Sequence, residues 1–196
     1  MIVILDYQAG NLASVKKALD HLGCACVVTG DPSQVQRAEK VVVPGVGHFS
    51  ATMKLAALGL ESALRDCIEK GTPVLGVCLG MQWMFDSSEE APEARGLGLF
   101  PGCATRFPIG FKSPHVGWNE LALRSKARLF RGISSGVCFY FTHAYRAPVI
   151  EDTVAVSEYG GEFSAAVERD NLFGVQFHPE KSGDQGLTLL RNFCEL

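Results

Sequence analysis

Continuous apolar runs alternate with helical patterns through the first half of the chain. The runs lie at Ile2–Leu5, Cys24–Val28, Val41–Val43 and Pro73–Val77. Unbroken runs rich in Val, Ile and Leu are typical of parallel strands that are covered on both faces of a sheet. Strands that alternate with helices indicate a doubly wound α/β fold, in which ligands bind beyond the carboxyl ends of the strands.

Apolar residues at helical spacing predict one helix after the first run and another before the fourth. Asn11 is the expected N-cap of the first helix, and Gly71 is expected to end the second. Both helices should pack on the sheet along one apolar stripe. The residues of these stripes are Leu12, Val15, Leu19 and Leu22 in the first helix, and Leu60, Leu64, Cys67 and Ile68 in the second.

After about residue 97 the pattern changes, and short apolar segments are divided by Gly, Pro and polar turns. We expect these segments, near residues 102–107, 116–123, 137–141, 153–157 and 173–177, to form shorter, partly antiparallel strands on the same sheet. A last helix should begin at a cap residue, Asp184, and bury Leu187, Leu190 and Phe193.

The predicted fold is therefore α/β, with a doubly wound, mostly parallel central sheet and helices on both faces. Additional, partly antiparallel strands belong to the C-terminal half. A chain of 196 residues suits one domain with a substantial core, so we assign residues 1–196 to a single domain.

Composition narrows the function classes. The net charge is −3, and Lys and Arg form no basic stripe of the kind that binds nucleic acid. The apolar start of the chain stops at Asp6, too early for a signal peptide or a membrane span. Seven cysteines, an odd number without a C-x-x-C pair, argue against a disulfide framework and a zinc site. We expect a cytoplasmic protein that binds no metal, nucleic acid or membrane.

The fourth run ends in Gly76-Val-Cys78-Leu-Gly80, and a helical pattern follows at once. This order of strand, sharp turn and helix is that of a nucleophile elbow, with Cys in place of the usual Ser. The two glycines lack Cβ atoms and so permit a crowded backbone. Free N–H groups at the helix start would favour a Cys78 thiolate. Cys78 is therefore a candidate nucleophile, although a buried packing Cys fits this short pattern about as well.

A nucleophilic Cys needs a His within hydrogen-bond reach and a third group that orients the imidazole. His178 ends the last predicted strand, and one proline separates it from Glu180. In an extended segment residues i and i+2 point to the same side, so Glu180 is placed to orient the His178 ring. His143, which also ends a strand, is a serious rival. Of the remaining histidines, His21 lies beside Asp20 in the first helix and is expected on the surface, and neither His48 nor His115 has an obvious carboxylate in a fixed local geometry.

The combination of 73–82 (PVLGVCLGMQ) with 177–180 (FHPE) resembles the triad (class I) glutamine amidotransferase family. Four further segments are 6–12 (DYQAGNL), 43–49 (VPGVGHF), 114–119 (PHVGWN) and 178–182 (HPEKS). With them, essentially the whole chain is similar to one group of that family, the glutaminase subunits of imidazole glycerol phosphate synthases. The chain departs from the group at Gln8, where a glycine is expected, and at Ala144, where Ser or Thr is expected.

This resemblance implies hydrolysis of the L-glutamine side-chain amide to glutamate and ammonia through a Cys thioester, without a cofactor. The implied triad is Cys78, His178 and Glu180. The implied oxyanion hole uses backbone N–H groups of Leu79, Val46 and Gly47, and we expect the Val46 peptide to be misdirected until a partner binds. A plain tight turn is the alternative at Val46. The implied substrate-binding residues are Gln82, Glu90, His143 and Ala144, with a solvated acidic loop as the alternative for Glu90.

The resemblance also implies a partner for the ammonia, a separate cyclase subunit with a (β/α)8 barrel that forms a heterodimer with this chain. That subunit makes imidazole glycerol phosphate and aminoimidazole carboxamide ribotide in histidine biosynthesis. The motif loops expected at the interface contain Asn11, His115, Trp118 and Lys181. The alternatives are the glutaminase subunit of another biosynthetic synthase, a γ-glutamyl peptidase, or a stress protein with a similar Cys elbow. The Cys-His-Glu set with Pro-Gly-Val-Gly disfavours the last two.

Overall fold

The computed structural model describes residues 1–196. Its strands are β1 (Ile2–Leu5), β2 (Cys26–Thr29), β3 (Lys40–Val43), β4 (Val74–Val77), β5 (Ser87–Ser88), β6 (Cys103–Arg106), β7 (His115–Glu120), β8 (Ala122–Leu123), β9 (Cys138–His143), β10 (Tyr145–Arg146), β11 (Thr153–Glu158), β12 (Glu162–Arg169) and β13 (Leu172–Val175). Its α-helices are α1 (Leu12–His21), α2 (Pro32–Val35), α3 (Met53–Ala57), α4 (Leu60–Glu69), α5 (Leu79–Trp83) and α6 (Gly183–Cys194). None of these helices has both the length and the apolar character that crossing a membrane requires.

Eight strands form the central sheet in the order β2-β1-β3-β4-β13-β12-β11-β8. The strands from β2 to β13 pair in parallel, and β12, β11 and β8 continue the sheet antiparallel. Two small sheets lie beside it, β10-β6-β5 and β7-β9. The predicted doubly wound fold with a partly antiparallel C-terminal half is confirmed, but the expectation that all C-terminal strands join the central sheet is wrong, since β6, β7 and β9 lie in the two small sheets. The long strand β12 and the short β5 and β10 have no counterpart in the prediction.

Both faces of the sheet are buried, and alternate residues of one strand serve opposite faces. Ile2 and Ile4 of β1 pack in the cluster that contains the buried residues of α1 and α6, whereas Val3 and Leu5 pack in the cluster that contains those of α4. The strand therefore needs an apolar residue at every position. The predicted helix stripes are buried at Val15, Leu19, Leu60, Leu64 and Cys67 and half-buried at Leu12, Leu22 and Ile68.

The predicted cap of the first helix is in place, whereas the predicted cap of the last helix is wrong. Asn11 occupies the N-cap position of α1 as predicted, but its side chain makes no capping hydrogen bond and instead donates from Nδ2 to Glu180 Oε1 at 3.1 Å. Helix α6 begins at Gly183 behind Ser182, so Asp184 lies in the first turn. The Ser182 hydroxyl instead donates to the His178 carbonyl at 2.7 Å. Both helix starts thus support the turn that carries His178.

The turn from β4 into α5 leaves no room for a side chain at two glycines. A Cβ atom on Gly76 would lie 2.7 Å from the Gly80 carbonyl oxygen, and one on Gly80 would lie 1.9 Å from the Val43 carbonyl oxygen. The start of α5 therefore lies directly against the end of β3. This close approach fixes where Cys78 stands relative to the loop that follows β3.

We expect Gly80→Ala to destabilise the protein by about 3 kcal/mol or more, because the new methyl group would overlap the Val43 carbonyl of a buried strand. The matched control is Gly71→Ala, which has φ +82° and no atom within 4 Å of the new Cβ. The control should lose only the roughly 1–2 kcal/mol of left-handed backbone strain. Urea denaturation measures both, and equal losses would contradict the packing argument.

Candidate active site

Cys78 lies at the tip of the turn between β4 and α5. Its backbone angles are φ 54° and ψ −106°, a conformation that a residue with a side chain rarely adopts. Its N–H donates to the Val175 carbonyl at 2.8 Å, and its carbonyl accepts from the N–H of Gln82 at 3.0 Å. The predicted strand, sharp turn and helix are therefore present.

His178 and Glu180 form a buried pair beyond the end of β13. The His178 Nδ1 atom lies 2.8 Å from Glu180 Oε1, and the two side chains are 1% and 0% exposed. The pair was predicted from an extended segment, but Pro179–Lys181 form a 3₁₀ turn, and only His178 itself is extended. The turn brings the carboxylate back to the ring. Asn11 Nδ2 donates to the same carboxylate oxygen at 3.1 Å.

The surroundings of His178 favour the charged form of its imidazole. Burial by itself lowers its pKa, but hydrogen bonding to Cys78 and Glu180, together with their negative charges, outweighs burial and raises the pKa from 6.5 to about 9. The Nε2 atom is buried without a hydrogen bond of good geometry. Catalytic hydrogen bonds are often poorly aligned before substrate binds, so Cys78 remains the candidate partner of Nε2. Cys78, His178 and Glu180 thus stand in sequence at the end of the sheet.

One of the predicted oxyanion donors, the N–H of Leu79, is already occupied by a backbone hydrogen bond. The N–H of Leu79 donates to the Gly45 carbonyl oxygen at 3.4 Å. That oxygen belongs to the same peptide group as the Val46 N–H, and in a trans peptide the two point in opposite directions. The Val46 N–H is therefore directed away from Leu79. Val46 and Gly47 are exposed, and Gly47 has φ +105°.

A cavity of about 150 Å³ opens beside Cys78 at the carboxyl ends of the strands. Its lining contains most of the predicted site residues outside the His178–Glu180 pair. The lining residues are Val46, Gly47, Cys78, Leu79, Gln82, Glu90, Thr142, His143, Ala144 and Tyr145. The predicted oxyanion and substrate residues are thus brought together around the nucleophile candidate.

Two of the predicted substrate residues, Gln82 and Glu90, each use one polar side-chain atom for hydrogen bonds within the protein. Gln82 Nε2 donates to the Tyr145 carbonyl at 2.8 Å and to Gln176 Oε1 at 3.0 Å. Glu90 Oε2 accepts the N–H of Phe49 at 2.7 Å. The opposite oxygen of each side chain makes no hydrogen bond within the protein and is not buried, so it is free to accept one from a ligand.

His143 is fixed as a neutral residue. Burial lowers its pKa to about 3. Its Nδ1 lies 2.8 Å from the Tyr145 carbonyl and its Nε2 lies 3.1 Å from His115 Nδ1. With both ring nitrogens engaged and no carboxylate beside it, His143 is a poor base. The backbone of His143 and Ala144 still borders the cavity.

The other two rival histidines lie on the surface. His21 is exposed at the end of α1, and the exposed His48 has its Nδ1 2.9 Å from the Ser50 hydroxyl. Neither lines the cavity beside Cys78. The two positions that depart from the family pattern differ in setting, because Gln8 is exposed with φ 61° and Ala144 borders the cavity.

The predicted interface residues do not share one environment. Trp118 is 57% exposed, and its ring centroid lies 6.1 Å from that of Tyr140. The ammonium group of the exposed Lys181 lies 5.9 Å from the same Tyr140 ring. Asn11 is half-buried against Glu180. His115 is a correction, since it is 5% exposed and stacked on Tyr159 with ring centroids 4.0 Å apart. Its motif predicted a surface loop, but it is the first residue of β7, with its ring turned into the core.

Two residues at the site were missed. Gln176 is fully buried, and its Nε2 lies 3.6 Å from Cys78 Sγ. The buried Tyr7 donates to the Pro44 carbonyl at 2.9 Å, and burial together with the nearby Cys78 raises the pKa of its hydroxyl. A polar Gln inside the apolar strand that leads to His178 was the available signal. Nothing local marks Tyr7.

The comparisons agree with this geometry. The family model for class-I glutamine amidotransferase matches residues 3–196. The imidazole glycerol phosphate synthase subunit HisH of Moorella thermoacetica is 49% identical over 198 residues, covering 100% of this chain and 94% of that protein. The subunit of the same name from Thermococcus kodakarensis is 47% identical over 202 residues and covers 100% of both chains.

Solved structures share the fold. A crystal structure of a glutamine amidotransferase has a TM-score of 0.78 at 21% identity, covering 100% of this chain and 98% of that one. A chain of PurLQS from Thermotoga maritima has a TM-score of 0.77 at 17% identity, covering 99% and 97%. At these identities the likeness is one of fold alone, whereas the family model and the sequence relatives span the whole chain. The resemblance inferred from the motifs is thus confirmed, and the chain belongs to the class-I glutamine amidotransferase family, among the HisH subunits of imidazole glycerol phosphate synthase.

Proposed function

We propose that this protein hydrolyses the side-chain amide of L-glutamine and passes the ammonia to a cyclase subunit of imidazole glycerol phosphate synthase. The observation that carries the proposal is the strained Cys78 next to a buried His178–Glu180 pair, with a small polar cavity at the sulfur. The full-length relatives of 47% and 49% identity that bear the synthase subunit name support the pathway.

In the first half of the reaction the Cys78 thiolate attacks the amide carbonyl carbon. The carbon–sulfur bond forms while the carbonyl π electrons move onto oxygen. His178 then gives its Nε2 proton to the amide nitrogen, the carbon–nitrogen bond breaks, and ammonia leaves behind a thioester. The raised pKa of His178 keeps that proton in place until the nitrogen needs it.

In the second half the neutral His178 takes a proton from water, whose oxygen attacks the thioester. The carbon–sulfur bond breaks, glutamate leaves, and the thiolate and imidazolium are restored together. Glu180 holds the ring through Nδ1 in both halves and stabilises the imidazolium. Asn11 holds Glu180 in turn, which makes it a positioning residue for the triad as well as a candidate interface residue.

Glutamine recognition is assigned to groups that border the cavity. The free carboxylate oxygen of Glu90 suits the α-ammonium, and the free amide oxygen of Gln82 suits a donor on the substrate. The backbone near His143 and Ala144 is assigned to the α-carboxylate. These three roles place the side-chain amide of glutamine toward Cys78.

The oxyanion hole is proposed to be closed in the lone subunit. Two donors are needed, Leu79 N–H and Val46 N–H, but the first is occupied by the Gly45 carbonyl. Rotation of the Gly45–Val46 peptide would free the first donor and deliver the second in one step. We propose that binding of the cyclase subunit, a (β/α)8 barrel, drives this rotation and so prevents hydrolysis without an acceptor. The cytoplasmic location predicted from the sequence stays a prediction.

In Glu180→Gln the negative charge that supports the imidazolium is lost, so His178 should deprotonate at lower pH. Since wild-type His178 loses its proton as the pH rises through about 9, the alkaline fall in kcat/KM should move to lower pH in the variant. Glutaminase kcat of the assembled synthase should drop roughly 10³–10⁴-fold. Glu93→Gln, at an exposed position, is the control. An unmoved alkaline limb would contradict the role of Glu180.

Glutamine hydrolysis by the isolated chain should be at least about a hundredfold slower than by the complex, because one blocked oxyanion donor costs about that factor. The assay measures glutamate release with and without the cyclase subunit and its ligand. Cys78→Ala sets the background rate in both arms. Full activity of the isolated chain would show that the Gly45–Val46 peptide does not restrain the reaction.

Trp118→Ala should weaken binding of the cyclase subunit about thirtyfold, because an exposed Trp is a common anchor of protein interfaces. Titration calorimetry of the purified subunits measures the Kd. Leu58→Ala removes another exposed apolar side chain, outside the surface formed by Trp118, Tyr140 and Lys181, and should leave the Kd unchanged. Equal effects of the two substitutions would place the interface elsewhere.

A further inference from the structure

Gln176 has no part in the steps described above, yet its side chain contacts the reacting sulfur. It follows β13 directly, is fully buried, and has its Nε2 atom 3.6 Å from Cys78 Sγ. Its Oε1 accepts from Gln82 Nε2 at 3.0 Å. A side-chain amide has a donor end and an acceptor end, so its orientation decides which of the two meets the sulfur.

The orientation of Gln176 is dictated by a backbone carbonyl two hydrogen bonds away. Gln82 Nε2 lies 2.8 Å from the Tyr145 carbonyl oxygen, which can only accept, so Gln82 must turn its NH₂ group to that side. The same NH₂ group faces Gln176. A reversed Gln176 would place two NH₂ groups against each other, so Gln176 presents its oxygen to Gln82 and its NH₂ group to Cys78.

The Tyr145 carbonyl is itself held in place. His143 is neutral and has one ring proton, which it donates from Nδ1 to this carbonyl at 2.8 Å. Its Nε2 then accepts from His115 Nδ1 at 3.1 Å. The hydrogen bonds thus run with consistent donors and acceptors from His115 to Cys78. The buried histidine pair, which the triad does not use, stabilises the far end of this chain.

An amide N–H directed at sulfur distinguishes the two forms of Cys78. It is a charge-assisted donor to a thiolate and a weak one to a thiol. A contact with the Thr142 carbonyl oxygen, 3.9 Å from Sγ, favours the thiol instead, because a carbonyl oxygen can only accept the S–H proton. That contact is the longer of the two, and so the weaker. The titratable groups that also face the sulfur are His178, whose charge favours the thiolate, and the neutral Tyr7.

We propose that Gln176 is a further catalytic residue, whose side-chain N–H holds Cys78 Sγ as a thiolate, with Gln82 and the Tyr145 carbonyl setting its direction. The inference rests on the proposed nucleophilic role of Cys78. It also gives Gln82 a second task besides substrate binding. Glutamine itself is not needed for Gln176 to act on the sulfur.

The experiment measures alkylation of single cysteines by iodoacetamide in the full chain, followed by peptide mass spectrometry. Gln176→Met keeps the length of the side chain and removes the donor. At about pH 6 the Cys78 rate should fall about tenfold, because a thiolate without its donor takes up a proton. At about pH 10 the difference should vanish, because the thiol is ionised in both proteins. A purely structural role would lower the rate equally at both values.

Two other cysteines serve as internal standards. The exposed Cys138 reports the reactivity of the reagent, and the buried Cys67 stays unreactive only while the protein is folded. Gln185→Met, at a half-buried position of α6, is the matched control and should leave the Cys78 rate unchanged. Folded Gln176→Met with a wild-type Cys78 rate at about pH 6 would overturn the inference.

A second variant keeps the test decisive if Gln176→Met exposes Cys67. Gln82→Met leaves Gln176 in place but frees it to reverse, so the Cys78 rate at about pH 6 should fall about threefold. A Cys78 rate in Gln82→Met equal to that of the wild type would overturn the inference. Because iodoacetamide is not a substrate, the readout is independent of glutaminase activity. If the wild-type protein hydrolyses glutamine but Gln176→Met leaves the Cys78 alkylation rate unchanged, only this inference is refuted. If Gln176→Met lowers the alkylation rate but the wild-type protein does not hydrolyse glutamine, only the proposed function is refuted.

Discussion

The site depends on the parallel pairing of β13 with β4, which aligns Val175 with Val77. One residue further, the N–H of Cys78 donates to the Val175 carbonyl at 2.8 Å, so the pairing continues into the turn. From that point the two segments diverge, one into α5 and one toward His178. Any shift of register would move Gln176 and His178 away from the sulfur, because neighbouring residues of a strand face opposite sides. The ladder of the sheet thus sets the spacing of the reacting groups.

Burial of the His178–Glu180 pair explains the hydrogen bonds around it, because additional hydrogen bonds offset the cost of burying an ion pair. Only His178 Nε2 and Glu180 Oε2 are buried side-chain nitrogen or oxygen atoms without a partner. Asn11 donates to Glu180, Ser182 links the backbone of His178 to that of Tyr140, and Gln176 donates to Cys78. Residues that would otherwise cap helices or fill a strand are used instead to hold charges. The unpartnered His178 Nε2 is the atom that transfers the proton in the proposed reaction.

The same packing that places the nucleophile also restrains it. A Cβ atom on Gly45 would lie 2.6 Å from the Leu79 side chain, so the loop after β3 lies directly against the elbow. This contact lets the Gly45 carbonyl occupy the Leu79 N–H. The glycines on either side of Val46 leave the peptide free to rotate. In the proposed function, binding of the partner therefore opens the oxyanion hole through this one exposed loop.

The sequence by itself determined the alternation of strands and helices, the elbow at Cys78 and the candidacy of His178 with Glu180, while His143 remained a rival. Each of these is written in local patterns: unbroken apolar runs, paired glycines and a His-Pro-Glu spacing. Only the tertiary structure decided how distant polar side chains meet. It turned the Asn11 amide to Glu180, buried the predicted interface residue His115, and aimed Gln176 at the sulfur through Gln82 and Tyr145. These contacts join segments far apart in the chain, and their donors and acceptors are assigned by partners that no local pattern names.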